Sequence, residues 1–530
     1  MSNNIITSDN YLWTNEHNNI SKQVLHRYQI FNNPGNDWKS GLVGVQDMIG
    51  QAYAKKERLR SYGGKWSLSD VAICNDSIHD SKPLTFYGTV GKNSLSGSAF
   101  YPDDPVPFSK RVFYFQSGAQ INQINNVLEE RGLSLYTTGA SNGQTLAGAV
   151  STGTHGSALK VGAMQDYVRA LHIVTSENKH VIIQPASNPV INNNFSNVFG
   201  AELINDDELF YAALVSFGSF GVIFGIIVET VSLFMLETYC MRTDYSKAST
   251  VYSFLSNFNH NSSDNLQVFL ESFGLPSEKD PHHLDIIVNP YKETDNAFLR
   301  VMYKQSYDAS KLSPEPGVSS TRVGNDILSI IGKITSSNEA LAPSIVSLLF
   351  GQAAEVQSGY TQTPKNIFGD STIYKPDKGG ASIEMGVPID KAKAAVKLTK
   401  KIAADNKFMG LIGIRFVKNS KATLAFTRFS PLTCTIELPG LNSVHTQNFY
   451  GQLFTAMDDA NIPFTLHWGQ EGDYSPNRLN RMYGKAVDDW MAQRKKLLDD
   501  PMQRYMFSND FMKRCGLSEA PPLNGGDEIA

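Results

Sequence analysis

The residues best suited to chemistry lie between Gly139 and Ser157, where GASNGQTLAGAVSTGTHGS packs five glycines into 19 residues among Ser, Thr and Ala. That composition favours neither a regular helix nor a regular strand, so a ligand-wrapping loop is expected. Its backbone N–H groups, unscreened by side chains, can approach a pyrophosphate, with Thr145, Ser151 and Thr154 as further donors. A Walker loop is excluded, because Gly143-x4-Gly148 is followed by Ala149 and Val150 where Lys and Ser or Thr are needed. The stretch from Gly139 to Gly143 matches the G-x-S-x-G nucleophile elbow around Ser141, which keeps a serine hydrolase open. Against it, an elbow leads straight into a helix, which so much glycine and threonine opposes, and no HGGG-type segment lies upstream. His155 has no second ligand at metal spacing and reads as a cofactor-positioning residue, so no metal is expected. His282-His283-x-Asp285 reads as a solvated turn after Asp280-Pro281.

Elements must hold this loop in place. Residues 111–138 read as strand, helix and strand, with Ile121, Ile124, Val127 and Leu128 on one helix face and Gly132 as its stop. DYVRALHIVTSENKHVIIQP reads as an antiparallel pair turning at SENK. Upstream, QDMIGQAYAKKERL reads as a helix ending before the break at Gly63-Gly64. Phe210 to Leu236 is long enough for a bilayer, but Glu229 and glycines 218, 221 and 225 fit a compact turn followed by a buried strand. Beyond Leu236, strands rich in Tyr, Phe and Val alternate with charged helices such as Asp390 to Asn406, the pattern of a second, α+β domain. Tyr307 to Ser358 reads as an insertion over a site.

At 530 residues the chain has room for more than one domain. Its 41% hydrophobic and 18% charged content belongs to a globular protein. A net charge of −4 without long blocks of one sign gives no drive toward nucleic acid or an anionic membrane. The four cysteines are scattered with no CxxC, and the first residues lack a secretory pattern, so a reducing, cytoplasmic location is expected.

RSYGGKWSLSD (60–70), the run from Gln116 to Ser157, DDELFYAALVSFGSFGVIFGI (206–226) and LHWGQ (466–470) occur in the order seen in flavoproteins of the vanillyl-alcohol oxidase superfamily. The chain most resembles the aldonolactone and alditol oxidase branch. The resemblance is good over about the first 235 residues, and TGTHGS is its most specific element. It implies an α+β fold: an FAD-binding, two-subdomain architecture over 1–235, an inserted α+β substrate domain over 236–460, and a return to the FAD domain over 461–530. Tyr62, Gly63, Gly64, Lys65, Trp66 and Ser67 would wrap the pyrophosphate. The second loop would supply Gly139, Ser141, Gly143, Gln144, Thr145, Gly148, Ala149, Thr152, Gly153, Thr154 and His155. Gly218, Gly221, Val222 and Ile223 would approach the adenosine end.

Relatives with covalent flavin carry a His where this chain has Trp66. An indole has no comparable nucleophilic nitrogen, so the FAD is expected to be non-covalent. In alditol-oxidase-like relatives an E-x-R strand and an HWGK turn do the chemistry. Here they become Gly413-Ile414-Arg415 and His467-Trp468-Gly469-Gln470, which keeps the arginine and histidine and loses a carboxylate and a lysine. Glu437, in the strand-like TCTIEL, is the replacement carboxylate, and needs a partner such as Arg415 if buried. The reading is an oxidase that takes hydride from a CH–OH group of a small or medium molecule and passes electrons to O2. The catalytic candidates are Arg415, Glu437, His467 and Gln470. A dehydrogenase with another acceptor, the serine hydrolase and an inert flavin-binding protein remain alternatives. The sequence leaves the oligomeric state open.

Overall fold

The computed structural model describes residues 4–35, 37–139, 142–262, 264–314, 341–352, 359–369 and 380–519. The fold is α+β, built on three larger sheets. In the first, the hairpin Ile5–Thr14 and Ser21–Ile30 continues into Ser77–Asp80 and then Leu59–Tyr62, the last two joined in parallel. The helix Trp38–Ala54 lays Leu42, Val45, Met48, Ile49 and Ala52, at three- and four-residue spacing, against Tyr28, Ile30 and Leu59. It begins earlier than QDMIGQ suggests, because the Asp37 side chain accepts from the Lys39 N–H and caps it.

The second sheet runs Glu202–Asn205, His180–Gln184, Val168–Val174, Val222–Glu229, Val112–Gln116 and Tyr87–Thr89. The SENK turn joins Val168–Val174 to His180–Gln184 in antiparallel register, as its alternation requires. The expected strand, helix and strand of 111–138 are present, although the second strand is only Leu133–Ser134. Within Phe210–Leu236 the helix Asp207–Leu214 ends in a turn that feeds the buried strand Val222–Glu229. Glu229 is fully buried because Arg111, at 3.0 Å, and Arg169 both pair with it, and the Phe100 N–H donates to it. Among the described residues no helix is long and apolar enough to cross a membrane.

Among the described residues the third sheet has eight strands, all antiparallel: Tyr360–Gln362, Phe234–Thr243, Ala297–Ser306, Pro281–Val288, Ile412–Lys418, Leu432–Leu441, Gly380–Pro388 and Thr465–Leu466. The helices Ala392–Asp405 and Val444–Asp459 share its core through Val396 and Ile402 on one and Phe449 and Leu453 on the other. Of the stretch Tyr307 to Ser358, residues 315–340 and 353–358 lie outside the described residues, and Ala342–Gln352 is helical. The tail returns as short helices that tie the sheets together. Trp490 Nε1 donates to Val215 O at 3.1 Å, Arg494 Nε to Ser219 O at 2.9 Å, and Arg60 Nη1 to Phe507 O at 2.7 Å.

Candidate functional site

One cavity is lined from all three sheets. Tyr62, Gly63, Gly64, Lys65, Trp66 and Ser67 line it, as do Gly139, Gln144, Thr145, Gly148, Ala149, Thr152, Thr154 and His155. So do Gly218, Gly221 and Ile223, together with Arg415, Glu437, His467 and Gln470. Ser141 lies outside the described residues. Three expected residues do not face the cavity. Val222 alternates with Ile223 along its strand and packs into the opposite core with Ile30 and Leu42. Gly153 is the left-handed C-cap of a helix, and Gly143 lies against the Trp66 ring, where a Cβ would come within 2.5 Å of it.

That helix corrects the expectation of a continuous loop over 139–157. Leu146–Thr152 is α-helical, held by a Thr145 side chain that accepts from the Gly148 N–H at 3.3 Å and by Gly153 at φ 83°. Its Leu146, Ala147, Ala149 and Val150 are buried, so tertiary burial overrides the poor propensity of the run. The helix starts five residues after Ser141, so it does not follow the serine as an elbow helix does. The two glycine loops then clasp each other: a Cβ on Gly63 would clash with the Thr145 side chain, and one on Gly64 would lie 2.5 Å from Gly143 O.

The polar lining fits a large ligand with many hydrogen-bonding groups. Among the described residues, Ser117 Oγ, Thr138 Oγ1, Gln144 Oε1 and Gln470 Oε1 are buried without a hydrogen-bond partner, and all four residues line this cavity. Buried polar atoms are rarely left so, and a bound cofactor and substrate would satisfy them.

At the far wall, strand register assembles a charged face. Asp285 lies opposite both Arg300 and Arg415, Arg415 opposite Thr435, and Glu437 opposite both Gly413 and Glu384. Because side chains alternate along strands, these residues share one face. Arg415 Nη1 donates to Glu437 Oε2 at 2.6 Å and lies 3.6 Å from Glu384 Oε1, and Gln470 Nε2 reaches Glu437 Oε1 at 3.4 Å. The carboxylate absent at Gly413 is thus replaced across the sheet by two. Glu437 was legible from its apolar run TCTIEL. Glu384 was missed, although ASIEMGV carries the same signal of a lone carboxylate in an apolar strand.

His155 Nε2 stands 3.0 Å from Glu384 Oε1, and its Nδ1 is 2.7 Å from Gly156 O. The Gly156 carbonyl only accepts, so Nδ1 donates to it and Nε2 faces the carboxylate. Burial pushes the Glu384 carboxyl up, but His155, Arg415 and His467 outweigh it and hold it well below the usual carboxylate range. His467 differs. Burial drives it down to about 4 despite Glu384, and its Nδ1 accepts from the Gly469 N–H at 3.0 Å, which leaves the proton on Nε2. The ligand atoms of His155, Glu384 and His467 lie within 4.8 Å of one another, a wider spread than the roughly 3.3 Å that zinc bonds of about 2.0 Å impose.

The segment His282-His283-x-Asp285 is not a solvated turn. It is buried on the strand Pro281–Val288, where His283 Nε2 meets Asp285 Oδ2 at 2.9 Å and Arg300 binds the same carboxylate through Nε and Nη2. The Asp-Pro dipeptide marks only the start of the strand.

Residues 106–183 match the model of the FAD binding domain. An L-gulono-1,4-lactone dehydrogenase of Mycobacterium tuberculosis is 22% identical over 478 residues, covering 89% of this chain and 93% of the relative. Residues 106–183 thus carry an FAD binding domain, in a chain similar over most of its length to that dehydrogenase. A D-arabinono-1,4-lactone oxidase of Yarrowia lipolytica is 29% identical to this flavoprotein over 123 residues, 23% of this chain and 20% of the relative, so that match spans about a fifth of its length. In fold, the flavoprotein is similar to cholesterol oxidase from B. sterolicum at TM-score 0.68 and 13% identity, over 96% of this chain and 97% of that one. The FAD binding match includes the Leu146–Thr152 helix, His155 and the orphaned Gln144, and leaves out Gly63 and Gly64 on the other side of the clasp.

Proposed function

We propose that this flavoprotein is an oxidase that removes hydride from a CH–OH group of a small or medium, neutral, hydroxylated molecule and passes the electrons to O2. The observation that carries this reading is the meeting, in one cavity, of the glycine loops with the face of Arg415, Glu437, Glu384 and His155. The orphaned Ser117, Thr138 and Gln144 fit FAD as the resident group, with Tyr62 to Ser67 and Gly139 to His155 as its walls. Bound FAD supplies the hydride acceptor. Glu437, oriented by Arg415 and Gln470, takes the substrate hydroxyl proton, since His467 presents a protonated Nε2 and donates instead. Arg415 places positive charge where negative charge develops, a role that Gln470 cannot fill.

A neutral substrate follows from the lining. Arg300 with Asp285 and Arg415 with Glu437 each cancel, and they still offer donors and acceptors. Trp66 argues for FAD held without a covalent bond. The domain division at 235 is supported by Phe234–Thr243, which enters the third sheet, whereas Thr465–Leu466 pairs with Gly386 and Met385 at the edge of that sheet and carries it a few residues past 460. A reducing, cytoplasmic setting suits four unpaired cysteines.

A second reading is a dehydrogenase with a non-oxygen acceptor, which the long match to the mycobacterial protein of that name favours. Stopped-flow separates the two. After anaerobic reduction by substrate, mixing with air should restore the oxidised flavin spectrum at a rate at least equal to turnover and release peroxide. Reoxidation far slower than turnover with an artificial acceptor would establish the dehydrogenase.

A further inference from the structure

We propose that His283, Asp285 and Arg300 form a second recognition subsite of the same cavity, one that takes a hydroxyl group of the substrate at the end remote from the carbon being oxidised. The inference rests on the flavoprotein oxidoreductase reading of that cavity. All three residues line it, and none belongs to the cluster around Glu384.

Arg300 spends one edge of its guanidinium on Asp285, through Nε at 3.1 Å and through Nη2. Its Nη1 makes no hydrogen bond among the described residues and keeps two donors. His283 gives its Nε2 proton to Asp285 at 2.9 Å. Burial lowers the affinity of the ring for a second proton even beside Asp285, so Nδ1 stays an acceptor. Asp285 takes three of these contacts on Oδ2 and one on Oδ1. It fixes the other two and neutralises Arg300, which removes the charge that would select an anion.

What remains is one donor face beside one acceptor, the complement of a hydroxyl, which both donates and accepts. The His283 ring is held by Phe368, with centroids 5.4 Å apart. Pairing that served only the fold would consume the donors rather than leave one edge of an arginine uncommitted on a cavity wall. Register sets the reach. Arg300 and Arg415 flank Asp285 on either side, so two inter-strand spacings, about 10 Å, separate their backbones, and Arg300 reaches inward to Asp285. The substrate therefore carries its second hydroxyl within about that distance of the reacting one.

The test uses the holoprotein and two homologous series, the α,ω-diols and the primary mono-alcohols from three to eight carbons. Dissociation constants come from perturbation of the flavin spectrum under anaerobic conditions. Diols near six carbons should bind about tenfold more tightly than the mono-alcohol of equal length, the gain of a donor and an acceptor bond, and shorter diols should lose that advantage. Arg300→Met should bring the diol to mono-alcohol ratio close to one, and His283→Phe, which keeps the ring against Phe368, should do the same. Flavin content and melting temperature identify a variant that fails to fold, and either substitution alone suffices. Absence of a length optimum in the wild type, whether because affinities are flat or because no diol perturbs the spectrum, overturns the subsite. So does a diol advantage that survives both substitutions. A colourless protein would instead sink the flavoprotein reading itself.

Discussion

At the scale of single residues, the positive charge of the site rests on the Arg415 guanidinium, held between two carboxylates. Arg415 touches both carboxylates, whereas His155 is pinned between Gly156 O and Glu384. Arg415→Ala should slow flavin reduction on the order of a hundredfold or more with FAD content retained, the cost of losing an oxyanion-type donor. Stopped-flow bleaching measures it, and a rate within a few-fold of wild type would remove Arg415 from the chemistry. Arg415→Gln keeps a polar side chain and removes the charge. Affinity of the oxidised flavin for sulfite, which rises with positive charge near the ring, should then fall by about tenfold or more, given one unit charge at several ångströms in an effective dielectric near 20. Unchanged sulfite affinity would place Arg415 away from the flavin ring. Trp66 yields a simpler expectation: acid or heat should release all the FAD into the supernatant, and flavin washed down with the pellet would reveal a covalent bond from another residue.

Among the elements, the short helix Leu146–Thr152 gives the cavity its shape, with Ala147, Gly148, Ala149, Ser151 and Thr152 on the lining. Thr145→Ala removes its N-cap and should cost about 1 kcal/mol of stability together with part of the FAD affinity, read by flavin titration of the apoprotein. Ala149→Leu should slow reoxidation more than reduction, because a branched side chain fills space beside the small residues of the wall. Equal slowing of both half-reactions would mean general damage. The glycine clusters, the SENK hairpin and Glu437 were legible in the sequence because each carries a local signal: composition, alternation, or a lone charge in an apolar run. The helix was not, because its stability comes from burial of Leu146 and Val150 rather than from propensity. Nor was the partnership of Glu384 with Arg415, since Gly380–Pro388 and Ile412–Lys418 become near neighbours only through Leu432–Leu441 between them. His283 and Asp285 were misjudged for a related reason. Nothing local says that the strand after Asp280-Pro281 turns its polar face onto a cavity.

Over the whole molecule, the histidines set a limit on acid tolerance. Burial pushes His79 and His467 down to about 4 and His282 to about 3, and drives His172 well below its ordinary value. An unfolded chain binds those protons near pH 6.5 and the folded one does not. Each therefore contributes stability that is fully present above about 6.5 and is lost as pH falls toward its folded value, up to about 3 kcal/mol for a shift of two to three units. Asp166 works the other way: burial raises its carboxyl to about 6, so between its unfolded value and 6 the folded state holds the extra proton and gains as pH falls. Four imidazoles outweigh one carboxyl. The depressed Asp285 and Glu384 add a further loss below about pH 4, as their stabilising pairs are protonated. For a chain of this length a net loss of several kcal/mol corresponds to a fall in melting temperature of roughly 5 °C or more between pH 7 and pH 5. Calorimetry or flavin fluorescence on the holoprotein measures it, because the cavity walls and the buried histidines unfold together. A melting temperature equal or higher at pH 5 would mean that these rings are already charged in the folded state, and with them the assignment of His467 as a neutral donor would fall.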